Sequence, residues 1–155
     1  MMNGLNCYLR AVKLDDAKLL YIWRNEKETR KNSFNSNLID FKEHLNWLKK
    51  TLQNNARLFY ILICADMEVG QVRIDIEGKI GVVNYSIDSK YRKMGYGKSI
   101  LELAEQELLK NAANLKKIVG YVKLENVASR HIFQILNYQE ELKGNMCIYT
   151  KLLPD

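Results

Sequence analysis

The stretch Ile87-Asp88-Ser89-Lys90-Tyr91-Arg92-Lys93-Met94-Gly95-Tyr96-Gly97-Lys98 joins a β-rich segment to one with helical periodicity. Its types suit the binding of an anion. Gly95 and Gly97 let a backbone come close to a ligand. The first turn of a helix presents unpaired N–H groups and the positive end of its dipole, which together suit a pyrophosphate. Lys93 and Lys98 add charge. The same glycines would equally suit a tight turn that holds nothing. The pattern is not a P-loop, because the Gly-Lys-Ser/Thr ending is missing. Nor is it a dinucleotide-binding turn, because the strand before it belongs to an antiparallel meander.

The elements that position this turn follow from pattern and punctuation. Residues 8–12 read as a strand. Asp15 and Asp16 offer caps to a helix carrying Leu19, Leu20, Ile22 and Trp23. Residues 32–37 are polar and read as a loop. Asp40 with Glu43 resembles a capping box for a helix carrying Phe41, Leu45, Leu48 and Leu52. Residues 58–65, 69–76 and 79–88, separated by short turns, form a meander of strands. A helix over 98–110, a strand over 118–122, a helix over 127–136 and a strand over 146–153 complete the chain. The order β-α-α-β-β-β-α-β-α-β predicts a mixed α/β domain, largely antiparallel in its first half.

With 155 residues and no Pro/Gly/Ser-rich linker or repeat, the chain reads as one domain spanning 1–155. At this size roughly two-thirds of the unfolded surface can be buried, so no metal or disulfide is needed. No apolar run approaches the ~20 residues of a membrane span. The first residues lack a basic, apolar leader, which reads as a cytoplasmic protein. Cys7, Cys64 and Cys147 read as free buried thiols, and with only two His no metal site is expected. The net charge of +6 is spread over scattered lysines, without the basic stripe of a nucleic-acid binder. An anionic small-molecule partner accounts for it as well.

Arg92, Gly95 and Gly97 fit the pattern Arg/Gln-x-x-Gly-x-Gly/Ala. After the next helix and strand, Asn126, Ser129 and Phe133 fit Asn-x-x-Ala/Ser-x-x-x-Tyr/Phe. With these two linked motifs and the element order, the chain resembles the GNAT acetyltransferase superfamily over nearly its whole length. The resemblance implies an acetyl-CoA-dependent N-acetyltransferase with a mixed, mostly antiparallel sheet flanked by helices and no metal. It implies a V-shaped opening between the strand ending at Ile87 and the strand 118–122. Acetyl-CoA would lie there against Tyr85, Ser86 and Ile87. Its pyrophosphate would be held by the turn of Arg92, Lys93, Met94, Gly95, Tyr96, Gly97, Lys98 and Ser99, and Asn126 would reach it near the thiol.

Acyl transfer to an amine needs a neutral nucleophile, donors for the carbonyl oxygen and a proton for the leaving thiolate. The resemblance implies that a backbone N–H at a strand bulge near Ile87 serves the oxygen. Many relatives carry a tyrosine at the Phe133 position to supply the proton, which Phe133 cannot do. Tyr138, Tyr121, Tyr85 or water would replace it. Asp75 is a candidate base, as is Tyr85 acting through water.

The pieces Trp23-Arg24-Asn25, Ser33-Phe34, His44-Leu45-Asn46-Trp47 and Gly70-Gln71-Val72-Arg73-Ile74-Asp75 resemble the branch that acetylates 4-amino groups of nucleotide-linked sugars in the pseudaminic-acid pathway. That implies a small-molecule amine acceptor, a UDP-linked 4-amino-dideoxy sugar. Arg24, Arg30 and Arg73 would pair a diphosphate. Trp47, which shares a helix face with His44, or Phe34 would stack on a ring. Asn25, Asn32, Ser33 and Gln71 would bond hydroxyls. Acetylation of a protein amine and a non-enzymatic acetyl-CoA sensor stand as alternatives, and a homodimer is left open.

Overall fold

Seven strands form one sheet in the order β1-β2-β3-β4-β5-β7-β6. The structure is a computed structural model that describes residues 6–111 and 114–154. Residues 1–5, read above for a leader, lie outside that range. The strands are β1 (Cys7–Ala11), β2 (Arg57–Cys64), β3 (Met67–Glu77), β4 (Ile80–Ile87), β5 (Lys117–Lys123), β6 (Gln139–Lys143) and β7 (Met146–Leu152). The helices are α1 (Ala17–Asn25), α2 (Lys27–Asn32), α3 (Phe41–Gln53), α4 (Tyr96–Asn111) and α5 (Val127–Ile135), with short 3-10 turns at Leu14–Asp16 and Ser89–Tyr91. All neighbouring strands are antiparallel except β4 and β5, which run parallel across the α4 crossover.

Alternation along β3 divides the molecule into two layers. Val72 and Ile74 point into a core shared with Ile100, Leu101 and Leu108 of α4, Phe133 of α5 and Tyr149 of β7. Gln71, Arg73 and Asp75 alternate with them and so face the other side. There Trp23 of α1 and Leu48 of α3 pack on Phe59 and Ile61 of β2. Trp23 also donates Nε1–H to Asp88 Oδ2 (2.8 Å), fastening α1 to the end of β4.

The mixed α/β fold agrees with the sequence reading, with two additions. α2 lies between the first expected helix and the loop read at 32–37, in residues to which the reading gives no element. Its six residues carry no buried position, so no apolar period marks it. It exists because Glu26 caps it, accepting from Glu28 N (3.0 Å) and Thr29 N (3.1 Å). β6 has no counterpart in the sequence reading; all five of its residues are exposed and none is β-branched, so no strand pattern marks it. Its pairing with β7 defines it. Asp40 caps α3 through Glu43 N (3.4 Å), and Asn137 takes the left-handed conformation after α5, with φ of +67°.

The expectation of three free thiols is corrected. Cys7 and Cys64 are joined as a disulfide, and only Cys147 is free and buried. The two cysteines face each other in the β1–β2 register with Cα atoms 4.1 Å apart. Their separation of 57 residues hides that juxtaposition from the sequence.

Candidate active site

The parallel pair β4–β5 holds together only from Ile80/Lys117 to Val83/Gly120. Beyond it the strands part, while β4 stays paired to β3 as far as Ile87. A strand turns successive residues to alternate edges. Asp88 N–H bonds Val69 O (2.9 Å) on the β3 side, so Tyr85 and Ile87 turn their backbone groups toward the opening. An exposed edge of this kind can pair the amides of an extended ligand. The bulge expected near Ile87 is absent. β4 runs in register with β3 throughout, and the sheet's register shift lies in β2 between Leu62 and Ile63.

The turn after β4 has a backbone geometry that suits an anion. Lys93 and Gly95 have φ of +63° and +85°, and α4 begins at Tyr96. The first bond returning along the helix is Ser99 N–H to Gly95 O (3.3 Å). The N–H groups of residues 96–98 therefore have no partner within the helix, and Gly95 has no side chain to cap them. Lys93, Met94, Gly95 and Lys98 are exposed beside them. Ser99 does not add a donor, since its N–H and hydroxyl both return to Gly95 O.

Two expected roles change. Gly97 is buried, and a Cβ there would come within 2.5 Å of Ile132 Cδ1 and 3.6 Å of Tyr85 Cε2. A glycine there lets α4 pack closely on α5 and β4. Arg92 does not turn its guanidinium to the helix start. It donates from Nε to Ile87 O (3.1 Å), and from its terminal nitrogen to Glu26 Oε1 and Thr29 Oγ1. Burial opposes the charge on Glu26, yet Arg92 and the capped N–H groups overcome it and pull its pKa down to about 2.

Asn126 caps α5 by accepting from Ser129 N (3.3 Å), and the Ser129 hydroxyl lies 2.9 Å from Tyr85 Oη. The second motif therefore closes on β4, a link that the sequence did not reveal. Burial pushes Tyr85 up to about 12 against the opposing effect of Ser129. Tyr85 thus keeps its proton at neutral pH. That favours a donor over the base read from sequence. Phe133 is buried, stacked on Tyr149 (5.0 Å, 6°), with Gly120 giving room for its ring.

Tyr138 is not brought to the opening. It lies edge-on behind Phe133 (4.9 Å) and donates to Glu105 Oε2 (2.7 Å) in the middle of α4. Burial, then the charge of Glu105, raise its pKa far above the ordinary value. Asp75 stands opposite Val82, where the sheet is still closed, and on the face away from Tyr85. It is held by Arg73 (3.2 Å) and Arg57 (3.3 Å), which leaves it a structural ion pair rather than a free base. Tyr121 is exposed on β5, just past the last β4–β5 pair.

On the α1–α3 face, Arg24 and Arg73 both lie over the ring of Trp47, at 5.4 and 5.3 Å. Arg73 has Asp75 as a partner. Arg24 makes no hydrogen bond or ion pair among the described residues, although it is half-buried. His44 stacks on Trp47 (5.8 Å) and is fully buried, with Nε2 bonded to Ala17 O (3.0 Å) and Nδ1 without a partner. Gln71 donates to Ser86 Oγ (3.0 Å). Other expected acceptor contacts are spent on local structure. Asn25 takes both the N–H and the C=O of Ile39. Arg30 donates to Asn25 O and Ser36 O, and Ser33 to Thr29 O. Asn32 is half-buried at the end of α2. Among the described residues no cluster of His, Cys, Asp or Glu could hold a metal, and no helix is long and apolar enough to cross a membrane.

This fold and site define an acetyltransferase. A model of the acetyltransferase (GNAT) domain matches residues 6–139, and the chain belongs to that family. Solved structures repeat the fold. A domain from Methanocaldococcus jannaschii superposes with a TM-score of 0.85 at 20% identity, covering 96% of this chain and 99% of its own. A spermidine N-acetyltransferase from Vibrio cholerae, solved with CoA and spermine, gives 0.83 at 18%, covering 94% and 95%. An enzyme from Salmonella typhimurium that modifies the N-terminal serine of a ribosomal protein gives 0.81 at 14%, covering 99% and 98%. No curated protein sequence matches the chain.

Proposed function

We propose that this acetyltransferase uses acetyl-CoA to acetylate the primary amine of a small anionic acceptor, a UDP-linked 4-amino-dideoxy sugar. The observation that carries the acceptor's charge is Arg24, which meets Arg73 over Trp47 and makes no salt bridge among the described residues, Glu43 acting on it only at a distance. Burial and the neighbouring Arg73 press on its charge more than Glu43 supports it, so an incoming phosphate relieves it. A polyamine would meet Arg24 on this face, its charge only partly offset by Glu43, which disfavours it.

The free edge at Tyr85 and Ile87 and the N–H groups of residues 96–98 suit the amides and the pyrophosphate of acetyl-CoA. When bound, acetyl-CoA supplies an activated acetyl thioester. An edge N–H of Tyr85 or Ile87 gives a donor for the carbonyl oxygen, without a bulge. Tyr85 Oη, backed by Ser129, holds a proton beside the opening. Reaction in the cytoplasm fits the supply of acetyl-CoA; in that reducing compartment Cys7 and Cys64 would stand as facing thiols.

The test is a thiol-release assay over UDP-amino sugars, free amino sugars, polyamines and N-terminal peptides. Turnover with UDP-amino sugars is expected, and Arg24→Ala should raise the acceptor KM roughly tenfold or more while leaving CoA affinity nearly intact. Turnover confined to peptides or polyamines would overturn the acceptor; none with any amine would favour a sensor of acetyl-CoA.

A further inference from the structure

α2 has six residues and none is fully buried, so it has no core side chain to anchor it. A helix this short is not stable by itself in water. Its position is set at its two ends. At the first, Arg92 grips Glu26, the residue that caps α2, and reaches Thr29 Oγ1 as well. The same guanidinium is anchored on Ile87 O, the last residue of β4. At the other end, Lys123 Nζ donates to Lys31 O (2.9 Å), and Lys123 is the last residue of β5. β4 and β5 are the two strands that part beyond Val83 and Gly120. α2 therefore crosses the mouth of the opening with one end tied to each lip. The chain on either side of it is bound to the same body, because Asn25 holds Ile39 and Arg30 holds Asn25 and Ser36.

We infer that Arg92 and Lys123 are positioning residues, tying α2 to both lips so that a cosubstrate filling the opening fixes the segment 25–40, which follows directly on Arg24. The inference rests on the reading that CoA enters between β4 and β5. It gives the signature arginine a task other than holding phosphate. The backbone of the turn faces the anion while the side chain of Arg92 reports the position of β4 to α2.

CoA serves as the probe, with calorimetry for its affinity and amide hydrogen exchange of residues 28–33 for the strap. In the unmodified protein CoA should slow exchange in that segment. Arg92→Gln and Lys123→Met should each still bind CoA and lose the slowing, and Arg92→Lys should recover part of it. With an amine turned over in the acceptor screen, both variants should raise the acceptor KM about tenfold at nearly constant kcat. Slowing that persists in both variants would overturn the inference. So would loss of CoA binding in Arg92→Gln, which would make Arg92 a phosphate ligand. Should Arg92→Gln fail to fold, Lys123→Met decides, since its bond lies at the surface. Absence of CoA heat in the unmodified protein would instead bring down the cosubstrate reading itself.

Discussion

Arg24 and Arg73 converge on the ring of Trp47, and His44 is its support. The His44 ring is held against Trp47 among Tyr21 and Phe41, with Arg24 as the nearby charge. Burial lowers its pKa below 6.5, and Arg24 adds to this against the opposing bond to Ala17 O. The folded protein therefore keeps His44 neutral where the unfolded chain would bind a proton. Its contribution to stability is complete above pH 6.5 and declines as the pH falls below that value. Urea midpoints measured from pH 7.5 downward, with all arms at about 0.15 M salt, should show this slope, and His44→Gln should flatten it. An unchanged slope in the variant would assign the dependence to other groups. Neighbouring residues in sequence meet different fates: Arg24 lies over the Trp47 ring, and Asn25 is consumed in holding Ile39. Composition alone does not separate them.

Among the elements, β3 and β4 show why a motif glycine need not touch a ligand. Gly70 stands opposite Ile87, and a Cβ there would lie 2.6 Å from Ser86 O and 2.8 Å from Ile87 Cδ1. The first is backbone oxygen, which cannot swing aside as a side chain can. Gly70→Ala should cost about 1–3 kcal/mol of stability and weaken CoA binding by disturbing the end of β4. A thermal melt and a CoA titration on one sample check both; a stable variant with normal CoA affinity would mean that the strands have room to part. The long amphipathic helices α3 and α4 and the meander were legible because burial imposes a period on their residues. α2 and β6 were not, because each depends on partners far away in the chain: Arg92 and Lys123 for α2, β7 for β6.

For the molecule as a whole, the net charge of +6 should attract the phosphates of CoA from a distance. Stopped-flow association should slow markedly between about 0.01 and 0.5 M salt, because the screening length shrinks from about 30 Å to a few ångströms. A rate independent of salt would confine the charge effect to the bound state. The sequence by itself determined the family, the order of most elements and the place of the glycine turn before α4. These depend on local features: glycines at fixed spacing, a helix start, and apolar periods imposed by a core. Tertiary structure alone decided the pairing of Cys7 with Cys64, the turning of Arg92 toward Glu26, and the burial of Gly97 under Ile132. It also separated Tyr85, at the opening beside Ser129, from Tyr138 and Asp75, which are engaged elsewhere. Each of these is set by which strands and helices lie side by side, and residues tens of positions apart leave no periodic mark of the contact they make.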